Sequence, residues 1–399
     1  MANKYKLTLS ACSVGYILQG SINNLIPLLF VYFTSAYKIP LSIITVIVSY
    51  SFILQIFIDF FSSKFILKVG YKTAGMVSAF LGLSGYAFLG LTPILFSSVT
   101  GLIIGITIAV TLTGMGSALS EVCLSPIIEV LPFNNKSATM SLIHSFYPLG
   151  HLVTILVATA FFWIFGIDKW NYLAFFLILI PLVEILLFIK SPIVNPTEEE
   201  KRVKKTELFK NKTFILLFIL MISAGACEQA IAQWASYFAE SGLKVSKTMG
   251  DLIGASAFAL FMIISRFSYG LSKDKINLNS FIIVCSVCLT ACYLLSVVQP
   301  SAVFSLVFVA LSGLFVGIMW PGVYAIGGSL FSYGGTAMFS MLALGGDLGC
   351  TLGPLLVGAV ASASSIKIGI LLATIFPLIM LVGMIILNKK KKKGLVTIK

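Results

Sequence analysis

Long apolar segments recur along the whole chain, and they constrain its fold more than any other feature. Crossing a hydrocarbon core about 30 Å thick takes roughly 20 residues as an α-helix. Backbone N–H and C=O groups in lipid must be satisfied within the protein, so these segments should be helices. With 58% hydrophobic and only 10% charged residues, the sequence predicts an all-α integral membrane protein.

Twelve such segments can be counted. The first six are Leu7 to Phe33, Leu41 to Leu67, Ala74 to Leu91, Thr100 to Val130, Ala138 to Phe165 and Tyr172 to Ile189. The last six are Phe214 to Phe238, Met249 to Leu271, Ser280 to Val297, Val303 to Leu330, Ala337 to Ala361 and Ile368 to Leu387. An even number of spans places both termini on the same side of the membrane.

One sizeable hydrophilic segment, "KSPIVNPTEEEKRVKKTELFKNKT" over residues 190–213, separates the sixth span from the seventh. It divides the chain into two sets of six spans. We therefore expect a six-helix bundle over residues 1–190, a cytoplasmic central loop over 191–213, a second six-helix bundle over 214–388 and a basic cytoplasmic tail over 389–399.

Two pairs of similar segments occupy corresponding positions in the two sets of spans. "GSINNLIPLLFVYF" from Gly20 aligns without gaps with "GACEQAIAQWASYF" from Gly225. "SATMSLIHSFYPLG" from Ser137 aligns with "TAMFSMLALGGDLG" from Thr336. Two parallel six-helix repeats are the arrangement of the major facilitator fold, whose binding site lies between the halves near the membrane midplane. The sequence therefore predicts this fold.

The basic residues are unevenly distributed, and this explains a formal net charge of +13. With the N-terminus in the cytoplasm, all but five of the 27 Lys and Arg residues lie on the cytoplasmic side; the exceptions are Lys38, Lys169, Lys244, Lys247 and Lys367. This follows the positive-inside rule and predicts a multi-pass plasma-membrane protein with both termini cytoplasmic. The run from Lys389 to Lys393 would contact anionic lipid headgroups, and nucleic acid is not an expected partner.

Ionisable residues within membrane spans are costly, and they usually face a cavity or a partner. Glu121, Glu228 and Asp347 lie on the fourth, seventh and eleventh spans, so we expect proton coupling to involve these carboxyl groups. Polar and aromatic side chains on the first, fifth, seventh and tenth spans are the expected substrate ligands: Gln19, Asn23, Asn24, His144, His151, Gln229, Gln233, Trp234, Trp320 and Tyr324. Asp59, Glu129, Glu184 and Asp251 are assigned to packing or to span ends.

The charge of the expected substrate follows from a missing counter-ion. No Lys or Arg is placed at mid-span in this interpretation, so a phosphate or a polycarboxylate would find no cation. The expected ligand is neutral or cationic, because amides bind hydroxyl groups and aromatic rings stack on sugars or cations.

Basic residues follow the second and eighth spans, in "KFILKVGYK" from Lys64 and "SRFSYGLSKDK" from Ser265. Arg266, Gly270 and Asp274 have the spacing of the basic-acidic loop motif of facilitator halves, whereas the acidic position in the first half holds Leu67. We expect Lys68, Lys72, Arg266 and Asp274 to act in gating.

Several motifs resemble the fucose permease family of facilitator transporters. They are "GMGSALSEVCLSPIIEVL" and "SLIHSFYPLG" in the fourth and fifth spans, "NNL" from Asn23, "VGYKTAGM" from Val69 and "GACEQAIAQWASYF". The resemblance implies a sugar or polyol substrate and makes Glu121 the proton-linked carboxylate. The acidic residue that follows the Asn-Asn pair in this family corresponds to Pro27 here, which indicates a divergent member and leaves Glu228 and Asp347 open as alternatives to Glu121 for coupling.

Four functions were compared on these residues. The sequence favours a proton-coupled importer of a small neutral solute, and the alternative is an exporter of cationic or amphipathic compounds. A sensor would carry an appended soluble domain. An enzyme is disfavoured because neither an HExxH pair nor a P-loop occurs. We expect no cofactor, no metal, and a monomer.

Overall fold

The computed structural model describes residues 5–132, 135–194, 204–272, 275–331 and 334–392, and all regular structure within these ranges is helical. It confirms twelve membrane-crossing helices, numbered α1 to α12. Those of the first half are α1 Lys6–Ala36, α2 Ser42–Val69, α3 Tyr71–Leu95, α4 Val99–Val130, α5 Lys136–Phe165 and α6 Ile167–Lys190. Those of the second half are α7 Lys212–Gly242, α8 Gly250–Leu271, α9 Leu278–Val298, α10 Ala302–Leu330, α11 Gly335–Ala363 and α12 Ile366–Lys391.

Local sequence explains where several helices begin or bend. Ser98 accepts a hydrogen bond from the Gly101 N–H and so caps the start of α4, and Asn277 caps α9 in the same way. Such caps satisfy backbone donors that lack an intrahelical partner. Pro27 lacks an N–H, and α1 narrows there into a 3-10 turn over Pro27–Leu29. Lys205–Leu208 forms a short helix between the halves.

The internal repeats recognised in the sequence make equivalent contacts in the two halves. A Cβ on Gly20 of α1 would collide with the backbone of Tyr147 in α5, and a Cβ on Gly225 of α7 would collide with the backbone of Gly346 in α11. Tyr147 and Gly346 are themselves aligned in the second pair of repeats. Glycine is therefore required where α1 meets α5 and where α7 meets α11. The two six-helix halves are structural repeats in which these helix pairs pack in the same way.

Among the described residues, the most extensive packing between the halves is that of α2 against α11 and of α5 against α8. Their contacts are again equivalent. The Ser340 hydroxyl of α11 donates to the Asp59 carbonyl of α2, and the Ser141 hydroxyl of α5 donates to the Arg266 carbonyl of α8, each at 2.8 Å. Asp59 and Arg266 consequently occupy corresponding positions in the two halves.

The halves touch on both sides of the membrane midplane. At the end of the bundle that carries both termini, the Tyr71 hydroxyl lies 2.7 Å from the Thr336 hydroxyl. Towards the opposite end, the Gln233 amide donates to the Asn23 carbonyl at 3.2 Å. The space between these contacts is enclosed by both halves.

Candidate functional site

A central cavity of about 370 Å³ lies between the two halves, and charged, amide and aromatic side chains form its wall. The lining residues are Tyr16, Gln19, Asn23, Phe52, Glu121, His144, Tyr147, Glu228, Gln229, Arg266, Trp320, Asp347 and Cys350. Five of the ten expected substrate ligands and all three expected proton-coupling carboxyl groups are among them.

Glu121 is the acceptor at the centre of this cavity, and its side chain is hydrogen bonded by both halves. Gln19 of α1 donates to Oε2 at 2.7 Å, while Tyr324 and Trp320 of α10 donate to Oε1 at 2.9 and 3.2 Å. A Cβ on Gly346 would overlap the Trp320 ring, so glycine at this position of α11 leaves room for the indole. The carboxyl group thus ties α10 of the second half to the first half.

Arg266 is the main correction to the sequence interpretation, which placed it in a gating loop and expected no basic residue at mid-span. Its side chain is 2% exposed and forms a salt bridge of 2.8 Å with Glu228. Arg266 lies more than one turn before the end of α8 at Leu271, and its long side chain extends inward to the cavity wall.

Two prolines explain why a guanidinium is held there. Arg266 donates through Nη1 to the His144 carbonyl at 2.8 Å and through Nε to the Gly317 carbonyl at 2.7 Å. In a helix these carbonyls would accept from the residues four positions later, which are Pro148 and Pro321 and have no N–H to donate. Arg266 supplies the missing donors from a third helix and thereby links α5, α8 and α10.

A second polar cluster extends from the first half to the seventh helix. The Tyr16 hydroxyl lies 3.0 Å from His144 Nε2 and 2.8 Å from the Ser125 hydroxyl. The Gln229 amide donates to the Tyr147 hydroxyl at 3.1 Å. The cavity therefore presents two kinds of groups that bind hydroxyls, namely amides and phenols.

Of the other expected ligands, four lie behind the wall. The Asn24 amide donates to the Gly20 carbonyl within α1, and Trp234 donates to the Pro354 carbonyl. Gln233 donates to the Gln229 side chain at 2.9 Å, and His151 is buried beside α1 where Gly20 approaches α5. Tyr324 is the fifth, and it reaches the site through its hydrogen bond to Glu121.

The expected gating residues are not brought together. Lys68 is exposed, and Lys72 donates to the Ile189 carbonyl at the end of α6, within its own half. Asp274 lies outside the described residues. The described residues that do link the halves at this end include Tyr71 and Thr336, whose hydroxyls are hydrogen bonded.

Sequence reasoning missed the lining residues Tyr16, Phe52, Tyr147 and Cys350, and it assigned Asp59 to packing. Asp59 is fully buried on α2 and faces α11 next to the cavity residue Asp347. The internal repeat could have identified Asp59 from sequence, because its position in the first half corresponds to that of Arg266 in the second.

Across the described ranges, no three side chains that could bind a metal ion lie together.

Comparisons with known proteins agree with this architecture. A model of the Major Facilitator Superfamily matches residues 12–346. The curated membrane protein MosC of Rhizobium meliloti is 28% identical over 149 residues, a match that spans 37% of this chain and 35% of MosC.

Three solved structures share the fold. The fucose:proton symporter FucP of E. coli has a TM-score of 0.71 at 14% identity, over 96% of this chain and 99% of FucP. The proton:xylose symporter XylE has a TM-score of 0.80 at 11% identity, over 97% of this chain and 96% of XylE. The human organic anion transporter MFSD10 has a TM-score of 0.72 at 13% identity, over 95% of this chain and 99% of MFSD10. With its twelve helices in two repeated halves around a polar cavity, the chain belongs to the Major Facilitator Superfamily, and it is a transporter, not an enzyme.

Proposed function

We propose that this transporter is a proton-coupled symporter that takes up a small neutral polar solute, a sugar or sugar derivative, across the plasma membrane. The observation that carries the proposal is the position of Glu121. This buried carboxyl group accepts hydrogen bonds from Gln19 in one half and from Trp320 and Tyr324 in the other.

Protonation of Glu121 would act directly on the contact between the halves. Hydrogen bonds to an ionised carboxylate are roughly twice as strong as bonds between neutral groups. Neutralising Glu121 weakens its bonds to α10 and favours separation of α10 from α4. A solute that binds to the same donors changes this balance, so proton and solute binding are linked through one side chain.

The chemistry of the wall supports a polyhydroxylated substrate. Gln19, Asn23 and Gln229 offer amides to hydroxyl groups, and the indole of Trp320 offers a flat apolar face to a sugar ring. Among the described residues, the one guanidinium on the cavity wall, that of Arg266, is paired with Glu228, so the cavity offers a substrate no unpaired positive charge.

Orientation and location follow the distribution of charge. The excess of Lys and Arg on one side of the predicted spans supports cytoplasmic termini. The named activities of FucP and XylE, which are sugar:proton symporters, support the same class of reaction for this chain.

Purified protein in proteoliposomes tests the proposal with a panel of radiolabelled sugars, polyols and amines, with and without an inward proton gradient. We expect at least one sugar or polyol to accumulate only when the gradient is present. In Glu121→Gln, exchange should persist while gradient-driven accumulation is lost. Glu184→Gln is the matched control, since Glu184 is equally buried but does not line the cavity. An unchanged pH dependence of uptake in Glu121→Gln contradicts the proposed role.

An exporter of cationic or amphipathic compounds is the second candidate. It is favoured by one observation: three carboxyl groups, Glu121, Glu228 and Asp347, line the cavity against the single Arg266. In the same proteoliposomes, an exporter would exchange amines for protons and leave the sugars untransported.

A further inference from the structure

A pair of carboxyl groups joins the two halves beside the cavity. Asp59 of α2 is fully buried, and Asp347 of α11 is 5% exposed on the cavity wall. The packing of α2 against α11 makes the two carboxyl groups neighbours, close enough to interact electrostatically. Among the described residues, no N–H or O–H group donates to either oxygen of Asp59 or to Oδ2 of Asp347. Asp59 is thus a buried, otherwise unpartnered carboxyl group directed at a second carboxyl group.

The packing of α2 against α11 explains why the two side chains meet. The helices run in opposite directions, and the Ser340 hydroxyl fixes their register by donating to the Asp59 carbonyl. Asp347 lies seven residues beyond Ser340, about 10 Å along the helix axis. Since each side chain leans towards the N-terminus of its own helix, Asp59 and Asp347 lean towards each other across this distance.

Electrostatics then sets the number of protons at the pair. Two ionised carboxylates in contact repel each other strongly, and in such a pair one group keeps its proton. A hydrogen bond between two carboxyl groups also requires one protonated donor. We propose that Asp59 and Asp347 hold a single shared proton that bridges the two halves, and that this pair acts together with Glu121 as the proton-coupling site of transport; the second part rests on the proposed symport function.

Other charged and titratable groups act on the pair from neighbouring elements. Glu121 of α4 adds negative charge, which favours keeping the proton. Lys205, in the short helix between the halves, adds positive charge. Its ammonium donates to the Phe60 carbonyl and lies 4.8 Å from the Phe60 ring centroid. Tyr324 of α10 and Cys350 of α11, which also face the pair, are neutral at ordinary pH.

The pair can bind and release a proton as the halves move. With α2 and α11 packed together, the shared proton replaces charge repulsion with a hydrogen bond. When the halves separate, each carboxyl group gains water, the bridge breaks, and the proton leaves to the side that has opened.

Infrared difference spectroscopy of the purified protein tests the shared proton without any substrate. The carbonyl stretch of protonated carboxyl groups is compared at neutral pH in wild type, Asp59→Asn, Asp347→Asn and the double variant. We expect the double variant to lose the intensity of one protonated carboxyl group relative to wild type. Glu184→Gln, which alters a buried carboxyl group elsewhere, should leave the band of the pair in place. Unchanged intensity in the double variant, or loss equal to two groups, overturns the shared proton.

Transport in proteoliposomes tests the second part, with any sugar that the wild type accumulates as the probe. One proton per neutral sugar gives about tenfold accumulation for each pH unit of gradient. The paired-carboxyl variants should reduce this ratio to one while exchange continues, and Glu184→Gln should preserve it. Full accumulation in both single variants overturns the coupling role. If no sugar or polyol is accumulated by wild type, the symport proposal fails while the infrared result still decides whether the proton is shared.

Discussion

The Arg266–Glu228 pair gives the sharpest prediction about stability, because its partners are all identified. Arg266 contacts the Glu228 carboxylate and the His144 and Gly317 carbonyls. Glu228→Gln keeps an acceptor for Nη2 but leaves the guanidinium without a counter-charge. Breaking a buried ion pair from one side costs about 3–5 kcal/mol, and we expect the lower end because the hydrogen bond can persist.

Arg266→Met should cost more than Glu228→Gln. It leaves Glu228 unpaired and also removes the donors of two buried carbonyls, at about 1–3 kcal/mol for each group left unsatisfied. The double variant removes both charges at once and retains only the cost of the carbonyls. Its loss of stability should therefore be smaller than the sum of the single losses by about 6 kcal/mol, because it avoids the unpaired-charge cost of both single variants.

Equilibrium unfolding in mixed micelles with increasing SDS, followed by tryptophan fluorescence, measures the free energy of unfolding of wild type, Glu228→Gln, Arg266→Met and the double variant. Arg266→Lys serves as the charge-conserving control and should recover part of the loss, since an ammonium keeps the charge but not the planar fork. Single losses below about 1 kcal/mol, or losses that add within about 0.5 kcal/mol, would refute the reasoning.

Three further predictions concern other parts of the molecule. Gly225→Ala should lower the yield of folded protein, because its Cβ would overlap the α11 backbone, whereas Gly254→Ala should not, since its nearest neighbour would be 3.5 Å away; size-exclusion chromatography measures both. Burial lowers the pKa of Lys205 to about 8, so its labelling by an amine reagent should rise with a midpoint near pH 8, well below that of an ordinary lysine at about 10.4; a midpoint above pH 10 contradicts this. Tyr71→Phe combined with Thr336→Val removes one hydrogen bond worth about 1 kcal/mol and should shift the closed state about fivefold towards opening at the terminal end, as measured by thiol labelling of a cavity cysteine; no shift contradicts a closing role.

Much of the fold could be predicted from sequence because lipid imposes simple rules. Apolar segments of sufficient length must be helices, and their number and order fix most of the architecture. The repeats that begin at Gly20 and Gly225 were visible because backbone contact with the facing helix allows only glycine there. A close backbone contact between two helices can therefore be recognised in the sequence from a single glycine.

The cavity was predictable only in part, because side-chain reach and rotation about the helix axis are set by packing. Arg266 shows the difficulty: its position near the end of α8 indicated a loop, while its side chain extends inward to carbonyls freed by Pro148 and Pro321. Asp59 is similar, since its partner Asp347 lies on a helix almost 300 residues away in the chain. Neither contact has a local sequence pattern, although the two residues correspond in the repeated halves.

The central claim is that solute uptake carries protons with it through this cavity. Proteoliposomes in weakly buffered medium, with a pH-sensitive dye outside, measure it directly when a transported sugar is added. The account predicts that the outside medium becomes more alkaline as the sugar enters, with about one proton per sugar, and that Asp59→Asn and Asp347→Asn abolish the change while Glu184→Gln retains it. Sugar uptake by the wild type with no change in external pH would contradict the account.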